Sequence, residues 1–207
     1  MVALLEAADA PYEIVLVISN RADAAGLAHA AAMGVATAVV ESRGRKRDDF
    51  EAEVSAILAA HRVEIVALAG FMRVLTEAFV RAWEGRMINI HPSLLPSFPG
   101  LDTHARALAG GVRLHGCTVH LVSPGVDEGP ILAQAAVPVL AGDTEAALAA
   151  RVLAQEHLLY PAALAWLAAG NVRLEGSRAI INAPDASGVL VNPLPAGPPL
   201  STQLASD

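Results

Sequence analysis

An α/β fold is predicted for this chain of 207 residues, and three features predict it. Short, almost continuously apolar runs alternate with helix-length segments through the first hundred residues, as in βαβ units whose parallel strands are covered on both faces. Apolar residues make up 54% of the sequence and charged ones 17%, enough to bury one ordinary core in a single domain. After residue 91 the pattern changes. Two strand-like runs there lie close together across a Gly/Pro-rich turn, as an antiparallel pair would.

In chain order, EIVLVIS at 13–19 reads as a strand, DAAGLAHAAAM at 23–33 as a helix and ATAVV at 36–40 as a short strand. A helix fits 47–61, EIVALAG is a strand ending at Gly70, Thr76 can cap a short helix reaching Trp83, and MINI is the next strand. HGCTVHLV at 115–122 and PILAQAAVPV at 130–139 are the antiparallel pair, added at the sheet's edge. A long helix then runs from a cap at Asp143/Thr144 to about Ala169, with a kink expected at Pro161. Its apolar stripe of Leu148, Val152, Leu159 and Ala163 also carries Glu156. The folded domain is expected over 1–175. From 176 to 207 the period is lost, and NPLPAGPPLSTQLASD reads as a mostly disordered tail.

A net charge of -7 argues against a nucleic-acid partner, and the strongest basic run, RGRKR at 43–47, reads as a solvated loop. One cysteine, Cys117, leaves no internal disulfide and suits a reducing compartment. Neither a signal-peptide pattern nor an uncharged membrane-length run is visible, so a cytoplasmic location without a membrane partner is expected. Histidines without ligand-like spacing point to no metal. Oligomeric state is left open.

The chemistry concentrates around residues 89–100, NIHPSLLPSFPG. Asn89 and His91 stand at i and i+2 where a strand gives way to a loop that Pro92, Pro96 and Pro99 keep from being helical. On an extended chain both side chains share one face at the strand's carboxyl end, where open parallel sheets bind ligands. GFMRVL at 70–75 and the loop SPGVDEGP at 123–130 should reach the same end. A neutral amide donor, an imidazole that titrates near neutrality and the carboxylate of Asp127 would suit a reaction that develops an oxyanion, such as acyl or formyl transfer. Plainer roles stay open: Asn89 bonding backbone, Asp127 serving a turn, Glu156 pairing with Arg151. His104 and His115 read as loop or helix-start residues, His120 and His157 as packed or surface histidines, and Cys117 as a small core residue.

GFMRVL, NIHPSLLPSFPGLDTH, HGCTVHLV, DEGPILAQAAVPV, the pair DT and QEHLLYP, in this order, resemble the phosphoribosylglycinamide formyltransferase family over roughly residues 13–175. The resemblance implies a Rossmann-like, mostly parallel sheet flanked by helices. It also implies transfer of a formyl group from 10-formyltetrahydrofolate to the amine of glycinamide ribonucleotide. Asn89, His91 and Asp127 match that family's catalytic set. Arg47, Met72, Arg73, Val74, Leu75 and Asn89, with the loop Ser123, Pro124, Gly125, Val126 and Asp127, match its folate-side positions, and Glu156 matches a residue that holds the ribonucleotide. One departure stands out: the family's first strand and its Gly-x-Gly-Ser-Asn phosphate loop have no counterpart, and MVALLEAA resembles the helix that follows them. Two neighbouring strand edges are therefore expected to lack a partner. A formyltetrahydrofolate hydrolase and a noncatalytic folate-binding module are the alternatives.

Overall fold

The computed structural model describes residues 1–183, 190 and 192. Its elements are α1 (Val2–Leu5), β1 (Leu16–Ser19), α2 (Ala25–Ala32), β2 (Ala36–Val39), α3 (Arg47–Ala60), β3 (Val66–Leu68), α4 (Glu77–Ala82), β4 (Met87–His91), α5 (Thr103–Ala109), β5 (Leu114–Leu121), β6 (Ile131–Pro138), α6 (Glu145–Ala168), β7 (Val172–Glu175) and β8 (Arg178–Ile181). The α/β alternation expected from the sequence is present, with parallel pairs β1·β2 and β3·β4 and the antiparallel pair β5·β6. β4 and β5 are also antiparallel, which places the pair beside β4 in the order β3-β4-β5-β6.

Local chemistry sets the helix starts. Thr76 caps α4 by accepting the Phe79 N–H, and Thr144 caps α6 by accepting that of Ala147. Pro161 lies inside α6, which is one continuous helix on both sides of it. α5 was not foreseen as an element. Its short span follows a proline-rich loop, so too few residues show helical spacing.

Strand alternation sorts side chains to two faces. Ile88 of β4 with Val119 and Leu121 of β5 packs against Tyr160, Ala163 and Leu164 of α6. Met87, on the other face, packs with Leu58 of α3 and Phe79 and Val80 of α4. The Tyr160 hydroxyl lies 2.6 Å from the Leu68 carbonyl and 3.2 Å from that of Ile88, tying α6 to β3 and β4.

Two corrections follow. The first strand, read as a buried run, is half-buried throughout, and so is β3. The two unpartnered strand edges expected from the sequence are present: β1 pairs with β2 and β3 with β4, and among the described residues no ladder joins β1 to β3. Leu16 and Ile18 nevertheless pack in the same cluster as Val66 and Leu68, so side chains bridge a seam that backbone bonds do not. The second correction is at the expected tail. Gly176 opens the turn of a β7–β8 hairpin, closed by the Asn182 N–H on the Asn171 carbonyl, so ordered structure passes the 175/176 boundary. The Asn192 amide also donates to the carbonyls of Arg113 and Val139. Residues 184–189, 191 and 193–207 lie outside the described set.

Candidate active site

Asn89 and His91 project from the carboxyl end of β4 on the face opposite α6. Their cross-strand neighbours on β5 are His120 and Thr118, respectively. The loop after β4 covers this polar patch. Thr118 Oγ1 donates to the Ser93 carbonyl at 2.7 Å and accepts the Leu95 N–H at 3.0 Å, while Gln134 Nε2 reaches the Leu95 carbonyl at 2.8 Å. Ser93 Oγ donates to the Ser97 carbonyl at 2.6 Å, and the Leu95–Pro96 bond is cis. Every buried polar group named here has a partner, which makes the loop a rigid lining.

This loop carries Phe98 back over His91. Nε2 of His91 is 3.0 Å from the Phe98 carbonyl, and its Nδ1 is 3.3 Å from Asp127 Oδ2. One ring nitrogen is thus hydrogen-bonded to a backbone carbonyl and the other faces a carboxylate. Asp127 Oδ2 also accepts the Gly100 N–H at 2.8 Å, linking the two loops. The close approach of the Asp127 loop depends on Gly129, where a Cβ would lie 1.7 Å from the Leu121 carbonyl oxygen. Phe98, Asp102 and Asp127 all hold a left-handed backbone, with φ of 55°, 55° and 56°. Such strain persists where surrounding bonds over-determine it, as they do around His91.

Beside this trio opens a cleft of about 500 Å³. Met72, Arg73, Val74, Leu75, Asn89, His91 and the loop Ser123 to Asp127 all line it, so eleven sequence-nominated positions share one cavity. Met72, Val74, Leu101 and Val126 expose apolar side chains at its walls. The Arg73 guanidinium turns outward: it donates to the Ser42 carbonyl at 2.6 Å and the Arg45 carbonyl at 3.0 Å, and lies over the Phe50 ring. It braces the wall from which residues 72–75 line the cleft.

Two nominated residues lie elsewhere. Arg47 opens α3, exposed and outside the lining. Glu156 sits on α6 outside the cleft, where burial raises its pKa against the opposing fields of His157, the terminal amine of Met1 and His91. Its suggested pairing with Arg151 is not formed, because Arg151 binds Asp143 at 2.8 Å.

Sequence reasoning missed His104 and His120, which both line the cleft. Burial lowers the pKa of each. His104 Nδ1 meets Nε2 of the fully buried His115 at 3.2 Å, and burial pushes the His115 imidazole down to about 4. The available signal was a second polar i, i+2 pair, Thr118 and His120, near the end of a strand. Among the described residues no cluster of three or more His, Cys, Asp or Glu could hold a metal ion, and no helix is long and apolar enough to cross a membrane.

An α/β sheet with an amide, an imidazole and a carboxylate converging at a strand end defines a class of group-transfer proteins. The chain belongs to the formyl transferase family, which it matches over residues 2–164. It is 44% identical over 164 residues to the phosphoribosylglycinamide formyltransferase of Escherichia coli, covering 79% of this chain and 77% of that one. It is 48% identical over 163 residues to the human trifunctional purine biosynthetic protein adenosine-3, covering 78% of this chain. The chain spans only 16% of the length of that relative. The solved phosphoribosylglycinamide formyltransferase of Anaplasma phagocytophilum is 43% identical with a TM-score of 0.82, covering 89% of each chain. A formyltetrahydrofolate deformylase of Pseudomonas syringae is more distant, at 28% identity and a TM-score of 0.77, covering 82% of this chain and 56% of that one.

Proposed function

We propose that this chain transfers the formyl group of 10-formyltetrahydrofolate to the amine of glycinamide ribonucleotide. The observation that carries this reading is the convergence of Asn89, His91 and Asp127 at the base of a cleft with apolar walls. Backbone groups of 72–75 offer hydrogen bonds to the edge of a flat pterin, and Val74, Leu101 and Val126 offer cover for its faces. Glu156 and Arg47 lie outside the cleft and are assigned by resemblance alone, to the ribonucleotide and to the folate side respectively.

In the transfer, the carbon–nitrogen bond to the amine forms and the bond to folate N10 breaks. One proton leaves the amine and one reaches the departing nitrogen. The Asn89 amide, with one N–H unspent, donates directly to the developing oxyanion. His91, with the Phe98 carbonyl at one ring nitrogen and Asp127 facing the other, would stabilise the oxyanion in its protonated form. Asp127 holds that charge in place, and its second oxygen is available to take up a proton through water.

Incubating the protein with the formyl folate, with and without the ribonucleotide, tests the reading. Formylated ribonucleotide as the product supports it. Formate released at the same rate without the amine would assign the site to the hydrolase reading, and folate binding without either product to a binding module.

A further inference from the structure

The cross-strand partner of Asn89 is His120, which no role assigned so far uses. Its ring is 2% exposed, too enclosed for a surface histidine, yet it lies on the polar face of β5. Nδ1 is 2.9 Å from the Leu121 carbonyl, so that nitrogen carries the proton. Nε2 is then a lone pair; the Asn89 Nδ2 group lies 3.3 Å from it, and Asp127 Oδ1, at 3.7 Å, is beyond hydrogen-bond reach. Only an N–H can face a lone pair favourably, so this contact distinguishes the two ends of the Asn89 amide.

A second, independent feature aims the ring. The β5–β6 register shifts between Val119 and His120: Val119 pairs with Ala133, but His120 pairs with Ile131. Bulges of this kind re-aim a side chain beside functional sites. Here the shift falls at the residue that meets Asn89.

We propose that His120 is a positioning residue that fixes the orientation of the Asn89 amide, spending one Nδ2–H on its own Nε2 so that the other points into the cleft. This rests on the formyl-transfer reading and names the group that makes Asn89 a donor. With His120 gone, the Asn89 amide is free to turn its carbonyl toward the developing oxyanion, where it would repel. Ground-state binding of the folate does not depend on that choice, so the loss falls on kcat.

His120→Leu removes the lone pair, whereas His120→Gln places an amide oxygen able to accept near the same point. The expected kcat loss is on the order of 10- to 100-fold for Leu, with KM for the formyl folate within about threefold; Gln should stay within about fivefold of the parent. A readout without substrate uses the Asn89 side-chain amide in ¹⁵N–¹H spectra. Its two protons should be resolved and slow to exchange in the parent and in His120→Gln, but averaged or fast-exchanging in His120→Leu, with thermal midpoints checked for all three. If Gln and Leu lose activity equally, or if the amide signals of the Leu variant match the parent's, the positioning role is wrong. A parent that shows the amide signature but transfers no formyl group would sink the functional reading and leave the His120–Asn89 lock standing.

Discussion

The strands on the two sides of the seam reach states opposite to their hydrophobicity, for β5 carries two histidines and a threonine while β1 reads Leu-Val-Ile-Ser. In β5, every residue from His115 to Leu121 is buried, because β4 and β6 take both its edges and α6 takes one face. In β1, Leu-Val-Ile-Ser is half-buried throughout, because β2 takes one edge and β3 forms no ladder on the other. Hydrophobicity alone therefore does not bury a strand; pairing on both edges does. The chemistry lies on the well-paired side: Asn89, His91 and Asp127 are held by β4, β5 and the loop bonded across them. Positioning to a fraction of an ångström is obtainable there and not along the seam.

The largest expected effect tests that division directly. Asn89→Ala and His91→Ala should each lower kcat for formyl transfer by on the order of 10² to 10³. Folate binding should persist, because the loss lies in the transition state. Steady-state kinetics with folate-analogue titration checks this, and activity within a fewfold of the parent would remove the residue from the mechanism. Asp127→Asn keeps the shape but removes the charge facing His91, so the rate should also fall while thermal stability holds.

Much of this was legible in the sequence, and the omissions have physical causes. The strand–helix order through His91 was readable from periodicity, and the i, i+2 spacing of Asn89 and His91 correctly put both on one face. Cleft residues 72–75 and 123–127 were readable because loops at strand carboxyl ends converge in this architecture. His120 was not. Its role depends on the register of β5 against β4, a long-range fact that local spacing does not contain. The outward turn of Arg73 was equally hidden, since the carbonyls it binds at Ser42 and Arg45 lie far away in sequence. The burial of β1 was overestimated because an apolar run reports the propensity to be covered, not the cover itself.

A smaller effect concerns acid stability on the well-paired side. Burial, with His104 adjacent, holds His115 at about 4, below the ordinary histidine value of 6.5. Between those limits the unfolded chain binds a proton that the folded chain refuses. The contribution is thus complete above pH 6.5 and is lost as pH falls toward 4, by up to about 3 kcal/mol. Urea midpoints at pH 7 and pH 4.5 should differ more for the parent than for His115→Asn. Equal differences would mean that the ring is protonated in the folded chain.

The smallest expected effect sharpens the contrast between strands by using one substitution in both. Val119 in β5 is fully buried among Leu121, Tyr160 and Leu164, and Val17 in β1 is half-buried beside the seam. Val119→Ala removes two methyl groups from a packed core that cannot fully close, which should cost about 2 to 3 kcal/mol. Val17→Ala removes the same atoms where water already has access, so about 1 kcal/mol or less is expected. Native-state hydrogen exchange should follow the same order: amides of β5 should open only with global unfolding, whereas those of β1 and β3 should open through smaller local fluctuations. Equal costs for the two substitutions, together with equal protection of the two strands, would show that the seam is as tightly held as the ladder and that edge pairing is not what distinguishes the two ends.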